Sequence, residues 1–332
     1  MNDRLRHSSV SVVIGSYNAE AWIRQTLDSV LAQTYGVGEI LVVDDGSSDA
    51  TPTIVRSYGS AVNLLSEPHR GRPHRNRGIL ASTGEFVAFI DADDWWQPTK
   101  IEKQLGMLWE QNVDWVVCDS QWLAADTGLL GSPVGEPVRG GDILRSLFLN
   151  NSIVASTPLV RRRALDDVGY FDESPEVAPV EDWDLWLRLA ARYPLACVHE
   201  PLTTLRLHGD SFLAATPMER RARSQETVVR RAASREPERL GPITRKALSN
   251  VNHAAGVGLF RQQRSGAARR YFLNAWRHQP ARLESLAYVL LSLLGVRASM
   301  GALRLLRLAD RKKQAELMRA PGSTGDPNTT NQ

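Results

Sequence analysis

Cysteine is scarce in this sequence, and its two examples lie far apart. Cys118 and Cys197 are the only cysteines among 332 residues. They are too few and too widely spaced to form a disulfide framework or a zinc site built from cysteines. We therefore predict that both are small core residues of a protein in a reducing compartment.

Long hydrophobic runs are also missing. Residues 1–9 are charged, and the apolar run from Val10 to Gly15 is too short for a secretory signal. The longest later run, Leu286 to Val296, contains Ser292 and Gly295 and is shorter than the roughly 20 residues that span a bilayer. The sequence predicts a cytoplasmic protein, either free or bound peripherally at the inner face of the membrane.

Basic residues are scarce in the first part of the chain, and acidic residues in the second. Residues 1–215 carry 18 Lys and Arg against 29 Asp and Glu, whereas residues 216–320 carry 22 against 7. The overall composition, 42% apolar and 23% charged, is that of a globular protein. We predict a first domain over 1–215, a basic helical subdomain over 216–320 and a disordered tail over 321–332.

Strand and helix signals alternate through the first part of the chain. The apolar runs 10–14, 40–43 and 86–90 are typical of parallel strands buried on both faces. Apolar residues recur at helical spacing from Trp22 to Leu31, with Asn18 as a candidate helix cap. The sequence predicts an α/β fold with a Rossmann-like, mainly parallel sheet and flanking helices, followed by an α-helical C-terminal region.

Two of the predicted strands end in acidic residues. Asp44 and Asp45 follow the second apolar run, and Asp91, Asp93 and Asp94 follow the third. Ligands of an open parallel sheet bind in the crevice at the carboxyl ends of its strands. Because clustered carboxylates repel one another, we expect a cationic group among them. The alternative for the first pair is a simple Asp-Gly turn.

Asp91 and Asp93 have the spacing of a divalent-cation site. Mg²⁺ and Mn²⁺ take carboxylate oxygens together with water and the oxygens of a substrate diphosphate. Two rival interpretations are weaker. A phosphohydrolase with an aspartyl nucleophile would have Thr or Val in place of Trp95, and a P-loop enzyme needs a G-x-x-x-x-G-K-[ST] motif, which the sequence lacks.

Seven segments follow one another in order between residues 10 and 211. They are VSVVIGSYN (10–18), EILVVDDGSSD (39–49), RNRG (75–78), GEFVAFIDADD (84–94), GYFDE (169–173), EDWDLWLR (181–188) and RLHGDS (206–211). In this order and spacing they resemble the motif series of the family 2 glycosyltransferases, which have the GT-A fold. Residues 216–332 carry none of these motifs.

The resemblance implies which residues bind a nucleotide-sugar donor. In that family the second Asp of the D-D-G-S motif accepts a hydrogen bond from the nucleobase, and here it is Asp45. Ser16 and Tyr17, after the first strand, would lie beside the base. Asp91 would face the ribose or the diphosphate, and Arg75 would lie near the donor.

The resemblance also implies a metal and a general base. Asp93 would hold Mn²⁺ or Mg²⁺, with His208 as a further contact to the metal or the diphosphate. Asp182, which opens a predicted helix, would be the general base. Two alternatives stay open: His208 as an ordinary surface or core histidine, and the acidic start of the helix as a response to the helix dipole.

The implied function is a metal-dependent, inverting transfer of a sugar from a nucleotide diphosphate to a hydroxyl group, in cell-surface polysaccharide or glycolipid synthesis. A carboxylate would take the proton of the acceptor, and the metal would assist departure of the diphosphate. The motifs resemble those of uridine-dependent members, so a UDP-sugar is the favoured donor, with guanosine and thymidine donors as alternatives. We expect a saccharide or a lipid-linked saccharide as acceptor.

A second interpretation comes from the basic region 216–320. The chain would then be a non-catalytic nucleotide-binding scaffold whose basic helices dock on an anionic membrane or on nucleic acid. The presence of every expected acidic residue argues against a degenerate enzyme, and the basic part has no zinc-finger spacing or aromatic-rich nucleic-acid motif. We expect an enzyme that contacts anionic membranes and has no nucleic-acid partner.

Two groups of residues beside the motifs have open roles. Arg70 and Arg72 occupy a stretch that is usually less basic in the family. Four tryptophans either stack on sugar rings or, as we favour, pack in the core. They are Trp95, Trp96, Trp183 and Trp186.

Overall fold

The structure is a computed structural model that describes residues 8–69, 75–124, 128, 130–131, 138–209, 211 and 215–293. Arg70, Arg72, the basic region beyond residue 293 and the predicted tail lie outside these residues. The chain divides into two compact units at Val251 and Asn252. The predicted domain boundary at residue 215 stays a prediction.

In the described residues, nine strands form one mixed sheet. They are β1 (Val10–Ser16), β2 (Glu39–Asp44), β3 (Asn63–Ser66), β4 (Phe86–Asp91), β5 (Trp95–Trp96), β6 (Trp115–Ala124), β7 (Leu130–Gly131), β8 (Leu159–Arg161) and β9 (Leu195–Leu207). Their order is β3-β2-β1-β4-β8-β6-β9-β5, and β7 pairs with β6. The first four strands are parallel to one another, as is β6 to β9, whereas β8 is antiparallel to both of its neighbours. The predicted α/β sheet is confirmed.

The parallel register brings three strand ends to one edge of the sheet. Ser16 at the end of β1 lies opposite Asp44 at the end of β2. On the other side of β1, Gly15 lies opposite Asp91 at the end of β4. The acidic residues that follow β2 and β4 therefore share the carboxyl edge, as the sequence predicts.

Helices of the first unit pack on both faces of this sheet. The twelve α-helices within the described residues are α1 (Ile23–Leu31), α2 (Thr51–Arg56), α3 (Arg75–Ala81), α4 (Lys100–Gln111), α5 (Leu144–Leu149), α6 (Arg162–Val168), α7 (Glu181–Arg192), α8 (Met218–Arg235), α9 (Pro237–Leu240), α10 (Thr244–Arg261), α11 (Ser265–His278) and α12 (Leu283–Leu291). Val12 of β1 packs in one buried cluster with Ile23 of α1, and Val13 packs in the other with Ile79 of α3. Burial on both faces explains why the strands read as continuous apolar runs.

Asn18 ties two loops together instead of capping a helix. Helix α1 begins only at Ile23, and Asn18 has a φ of 46°. Its side-chain Oδ1 accepts the backbone N–H of Ser48 at 2.9 Å, and its own N–H donates to Ser47 Oγ at 2.8 Å. The predicted cap is wrong, because the side chain binds the loop after β2.

The helices after residue 216 belong to both units. Val228 and Ala232 of α8 share a buried cluster with Trp183 in the first unit. In the second unit, Phe272 of α11 stacks on Tyr288 of α12, with ring centroids 4.7 Å apart. Among the described residues, no helix is both long and apolar enough to cross a membrane. The predicted helical C-terminal region is confirmed in its described part.

Two helical glycines provide a matched test of packing against the sheet. A Cβ at Gly78 of α3 would meet Val13 Cγ1 at 2.5 Å and Val43 Cγ2 at 3.1 Å, whereas a Cβ at Gly106 of α4 would meet nothing within 4 Å. Alanine favours a helix over glycine by about 0.5–1 kcal/mol, and overpacking costs about 1–3 kcal/mol. We expect Gly106→Ala to raise the free energy of unfolding in urea and Gly78→Ala to lower it. Equal effects of the two substitutions would contradict the packing of α3 on β1.

Candidate active site

Asp45 lies just after β2, beside two stacked rings. Its side chain is 5% exposed, and its Oδ2 lies 3.0 Å from Nδ1 of His69. The His69 ring stacks on Tyr17 with centroids 4.2 Å apart and planes 18° from parallel. The N–H of Asp45 donates to the carbonyl of Ser16 at 2.9 Å. The three residues that the sequence assigns to the nucleobase therefore lie together, and His69 joins them.

The turn after Asp45 requires a glycine. Gly46 has a φ of +70°, and a Cβ there would lie 2.7 Å from the backbone nitrogen of His69. Asp44 fixes the same turn, since its carboxylate accepts the Ser16 hydroxyl at 3.2 Å and the Ser47 N–H at 3.0 Å. Asp44 thus has a structural role, and the Asp-Gly turn is present beside Asp45.

A buried arginine connects the carboxylates at the sheet edge. Arg75 begins α3, and its side chain is 8% exposed. Its guanidinium donates to Asp91 Oδ1 and, at 3.4 Å, to Glu181 Oε1, and it lies over the ring of Phe171. Burial disfavours its charge, but Asp91 and Glu181 outweigh this effect and raise its pKa. Arg75 is the cationic group that the acidic strand ends led us to expect.

Asp182 lies next to this cluster, in the first turn of α7. Its Oδ1 accepts the N–H of Trp183 at 2.7 Å. Burial, and then the charge of Glu181, raises the pKa of Asp182 to about 7. Burial also raises the pKa of Glu181, although Arg75 opposes this shift. A carboxyl group whose pKa lies near neutral pH has the property that a general base needs.

Asp93 and His208 form a pair beside the same edge. Nε2 of His208, which follows β9, lies 2.9 Å from Oδ2 of Asp93, and the His208 side chain is 12% exposed. Nδ1 of His208 is buried and has no hydrogen-bond partner among the described residues. Burial and the charge of Asp91 raise the pKa of Asp93, which shows that a neighbouring cation would be favourable there.

The side chains around this pair fit a divalent cation. Carboxylate oxygens of Asp91, Asp93 and Asp94 lie within 4.8 Å of one another, and such oxygens suit Mg²⁺ and Mn²⁺. The 2.9 Å between Nε2 of His208 and Oδ2 of Asp93 is a hydrogen-bond distance. The Asp93 side chain is 24% exposed whereas Asp94 is 5% exposed, so Asp93, with His208 beside it, is the residue that would hold a metal.

Asp94 has a different role from its two neighbours. Its carboxylate accepts the Ser156 hydroxyl at 2.6 Å and the backbone N–H of Arg206 at 3.1 Å. The Ser156 oxygen in turn accepts the N–H of Asp91 at 2.9 Å. Burial and the charge of Asp93 raise the pKa of Asp94 well above its usual range. Asp94 therefore fixes the turn that carries Asp91 and Asp93.

Three of the four tryptophans are core residues. Trp96 and Trp183 are 2% exposed and Trp186 is fully buried. Trp95 is half-buried, and its ring lies 4.9 Å from the guanidinium carbon of Arg206. The prediction that these tryptophans pack in the core is therefore confirmed for the three buried side chains.

Three residues of the site make contacts that the sequence did not predict. Glu181 pairs with Arg75, and its position beside Asp182 in the Glu-Asp motif could have indicated that it belongs to the site. Ser156 and His69 belong to segments without a motif. No local spacing connects them to the acidic residues that they contact, so only the fold reveals them.

Comparison with known proteins finds glycosyltransferases. A family model described as "Glycosyl transferase family 2" matches residues 11–169. A Rickettsia prowazekii protein, uncharacterized glycosyltransferase RP339, is 32% identical over 215 residues, which are 63% of this chain and 67% of that protein. The Escherichia coli UDP-Glc:alpha-D-GlcNAc-diphosphoundecaprenol beta-1,3-glucosyltransferase WfgD is 33% identical over 183 residues, 54% of this chain and 69% of that one. Four other curated relatives are matched over only 31 to 36% of their length.

Two solved structures share the fold. Residues 1–349 of S. aureus TarS, in complex with UDP-GlcNAc, give a TM-score of 0.62 at 18% identity over 86% of this chain and 90% of that one. The mannosyltransferase PcManGT from Pyrobaculum calidifontis, in complex with GDP-Man and Mn²⁺, gives 0.54 at 20% identity over 86% of each chain. At these identities the likeness concerns the fold, and it confirms the expected GT-A fold.

Proposed function

This chain belongs to glycosyl transferase family 2, and we propose that it is a metal-dependent, inverting enzyme that moves a sugar from a nucleotide diphosphate to a hydroxyl group. One observation carries the proposal: Arg75 binds both Asp91, two residues before Asp93, and Glu181, the residue before Asp182. A pair suited to a divalent cation and a carboxyl group suited to proton transfer therefore belong to one cluster. The reaction needs both.

The favoured donor is a UDP-sugar. Asp45 would accept an N–H of the uracil ring, Tyr17 would stack on it, and Ser16 would lie beside it. The His69 ring supports this assignment, because it makes the same two kinds of contact with Asp45 and Tyr17. Both the UDP-Glc in the name of the E. coli relative and the UDP-GlcNAc bound by TarS also favour uridine.

Asp91 would contact the rest of the donor, with Arg75 near it. Asp91 would face the ribose or the diphosphate, and Arg75 would hold the carboxylates around it in place. Asp93 and His208 would hold Mn²⁺ or Mg²⁺, and the Mn²⁺ bound by the mannosyltransferase supports such a cofactor. When bound, the metal supplies Lewis-acid stabilisation of the departing diphosphate.

Asp182 would take the proton of the acceptor hydroxyl. The Trp183 N–H holds one carboxylate oxygen, Oδ1, at 2.7 Å, which leaves Oδ2 for the proton. The nearby Arg75 favours the ionised form of Asp182 and so opposes the effect of burial. Asp184, two residues on, is unsuited to this role, because its carboxylate is bound by Arg188 at 2.9 Å and Arg235 at 2.7 Å.

Replacement of Asp182 tests the assignment of the base. Asp182→Asn keeps the size of the side chain and its Oδ1 acceptor but cannot accept a proton. We expect donor binding to persist while release of UDP from a UDP-sugar, with saccharide or water as acceptor, falls by about 10²- to 10⁴-fold. Because the base acts when deprotonated and its pKa is about 7, the wild-type rate should rise with pH up to about 7 and then level off.

Two further variants sharpen this test. Asp93→Asn should weaken binding of Mn²⁺ and of donor together, which Asp182→Asn should not do. Glu181→Gln removes a charge that raises the pKa of Asp182, so the pH midpoint should move downward while transfer persists. If Asp182→Asn retains more than about a tenth of the rate, with chemistry rate-limiting, the base is not Asp182, and Glu181 is the next residue to test.

The acceptor that we propose is a saccharide or a lipid-linked saccharide. The E. coli relative acts on a sugar linked to diphosphoundecaprenol, as its name states. Contact with an anionic membrane would bring the enzyme to such an acceptor. Residues 252–293 carry six arginines and one acidic residue, and Leu283 and Leu290 are 68% and 59% exposed. Exposed apolar and basic side chains together suit a membrane surface.

Vesicle sedimentation tests this contact with the full chain. Arg261 and Arg270 are exposed, and each arginine near an anionic surface contributes about 1 kcal/mol. The Arg261→Gln/Arg270→Gln variant should bind anionic vesicles about 30-fold more weakly at low salt, whereas Arg56→Gln, an exposed position in the first unit, should bind normally. Equal binding of the wild type and both variants to anionic vesicles, or preference of the wild type for duplex nucleic acid, would contradict the proposal.

A further inference from the structure

A second group of side chains of the types that bind metals lies outside every motif of the site. It consists of Asp119, Cys197 and His199. Their ligand atoms lie within 4.8 Å of one another. Cys197 and His199 are two positions apart on β9, so their side chains point to the same face of the strand. Asp119 belongs to the neighbouring strand β6. Three different donor types, sulfur, nitrogen and oxygen, therefore converge at the β6–β9 pair.

An irregularity in the strand pairing brings these residues together. β6 and β9 pair in step from Trp115 to Cys118, but the register then shifts on either side of Asp119, which lies opposite Pro201. Bulges of this kind redirect a side chain and leave residues outside the ladder. Here the shift leaves His199 beside Asp119. The arrangement depends on the fold and could not be found from the spacing of cysteines.

The distances match those of a tetrahedral metal site. Sγ of Cys197 lies 3.7 Å from Nδ1 of His199, and the same Nδ1 lies 3.7 Å from Oδ2 of Asp119. Zinc bonds to sulfur are about 2.3 Å and to nitrogen or oxygen about 2.0–2.2 Å, so neighbouring ligands of a tetrahedral zinc are about 3.4–3.6 Å apart. For these two pairs, the ligand atoms need to move by only a few tenths of an ångström to bind one ion.

A Cys-His-Asp relay for nucleophilic catalysis does not fit this geometry. Such a relay needs the thiol and the carboxylate on different nitrogens of the imidazole. Here both contacts of His199 are made by Nδ1. Because Nδ1 of His199 lies near both the sulfur and the carboxylate oxygen, the three atoms are arranged as ligands around a common centre.

Charge also favours a cation at this position. Within the described part of the chain, the ion-pair partner of Asp119 is His199 and no lysine or arginine. A bound cation would stabilise the carboxylate of Asp119 and the thiolate of Cys197 together.

We propose that Asp119, Cys197 and His199 bind a divalent transition metal, for which Zn²⁺ is the best match, with water as the fourth ligand. Mixed sulfur, nitrogen and oxygen donors suit Zn²⁺, whereas Mg²⁺ and Mn²⁺ prefer oxygen. The ion would join β6 to β9 before β9 reaches Arg206 and His208. It would thus stabilise the strand that leads to the candidate active site.

Titration of the full chain with Co²⁺ tests the site. Co²⁺ adopts the geometry of Zn²⁺, and a cobalt–thiolate bond produces a near-ultraviolet charge-transfer band. The wild-type protein should develop this band with one equivalent of Co²⁺, and Zn²⁺ should remove it by displacement. Cys197→Ser should abolish the band, and His199→Gln and Asp119→Asn, which each remove a ligand, should weaken Co²⁺ binding by more than the roughly 10- to 100-fold that loss of an outer-shell partner costs.

Matched variants exclude other sources of the band. Cys118→Ser should keep it, since Cys118 packs in the other buried cluster and contacts Thr203 Oγ1 at 3.4 Å. Asp93→Asn should also keep it, because the candidate active site contains no thiol. The His199 side chain is 58% exposed, so His199→Gln tests the site even if Cys197→Ser fails to fold. No band in the wild type at millimolar Co²⁺, or a band that survives both Cys197→Ser and His199→Gln, would overturn the proposal.

Discussion

The buried ion pairs of Arg75 are the interaction on which the acidic edge of the sheet depends. The guanidinium binds Asp91 at the end of β4 and Glu181 at the start of α7, and so joins two segments far apart in sequence. Without a cation, several carboxylates at this edge would repel one another and take up protons. With it, Asp91 stays close to Asp93, and Asp182 is held next to the same cluster. In the proposed function, the arrangement of these carboxylates thus depends on one buried charge.

The strand β9 supports the same edge from the other side. It delivers the backbone N–H of Arg206 to Asp94 and the ring of His208 to Asp93. Asp94 and Ser156 fix the turn, and Asp91 and Asp93, whose side chains are more exposed, lie on it. Asp94 thus maintains the turn, while Asp91 and Asp93 are the carboxylates that would face the diphosphate and the metal in the proposed function.

Much of the fold and of the site could be predicted from sequence, for identifiable reasons. Strands β1, β2 and β4 are buried on both faces, so their apolar runs predict parallel pairing, and the acidic residues at their ends share an edge. Asp45, Asp93 and Asp182 belong to motifs in a characteristic order. By contrast, the contact of Ser156 with Asp94 and the bulge at Asp119 join segments that are far apart in sequence and share no pattern. The burial that raises the pKa of Asp182 likewise exists only in the folded chain.

The central claim is that Arg75 neutralises the buried carboxylates, and a pair of variants tests it most directly. Arg75→Met keeps contact with the Phe171 ring but leaves Glu181 without its cation. The measurement is the free energy of unfolding in urea at pH 7.5 for Arg75→Met and for Arg75→Met/Glu181→Gln. We predict a loss of about 3–5 kcal/mol for the single variant and recovery of about 0.5–3 kcal/mol when Gln removes the unpaired charge. A loss below about 1 kcal/mol, with no recovery in the double variant, would contradict the account.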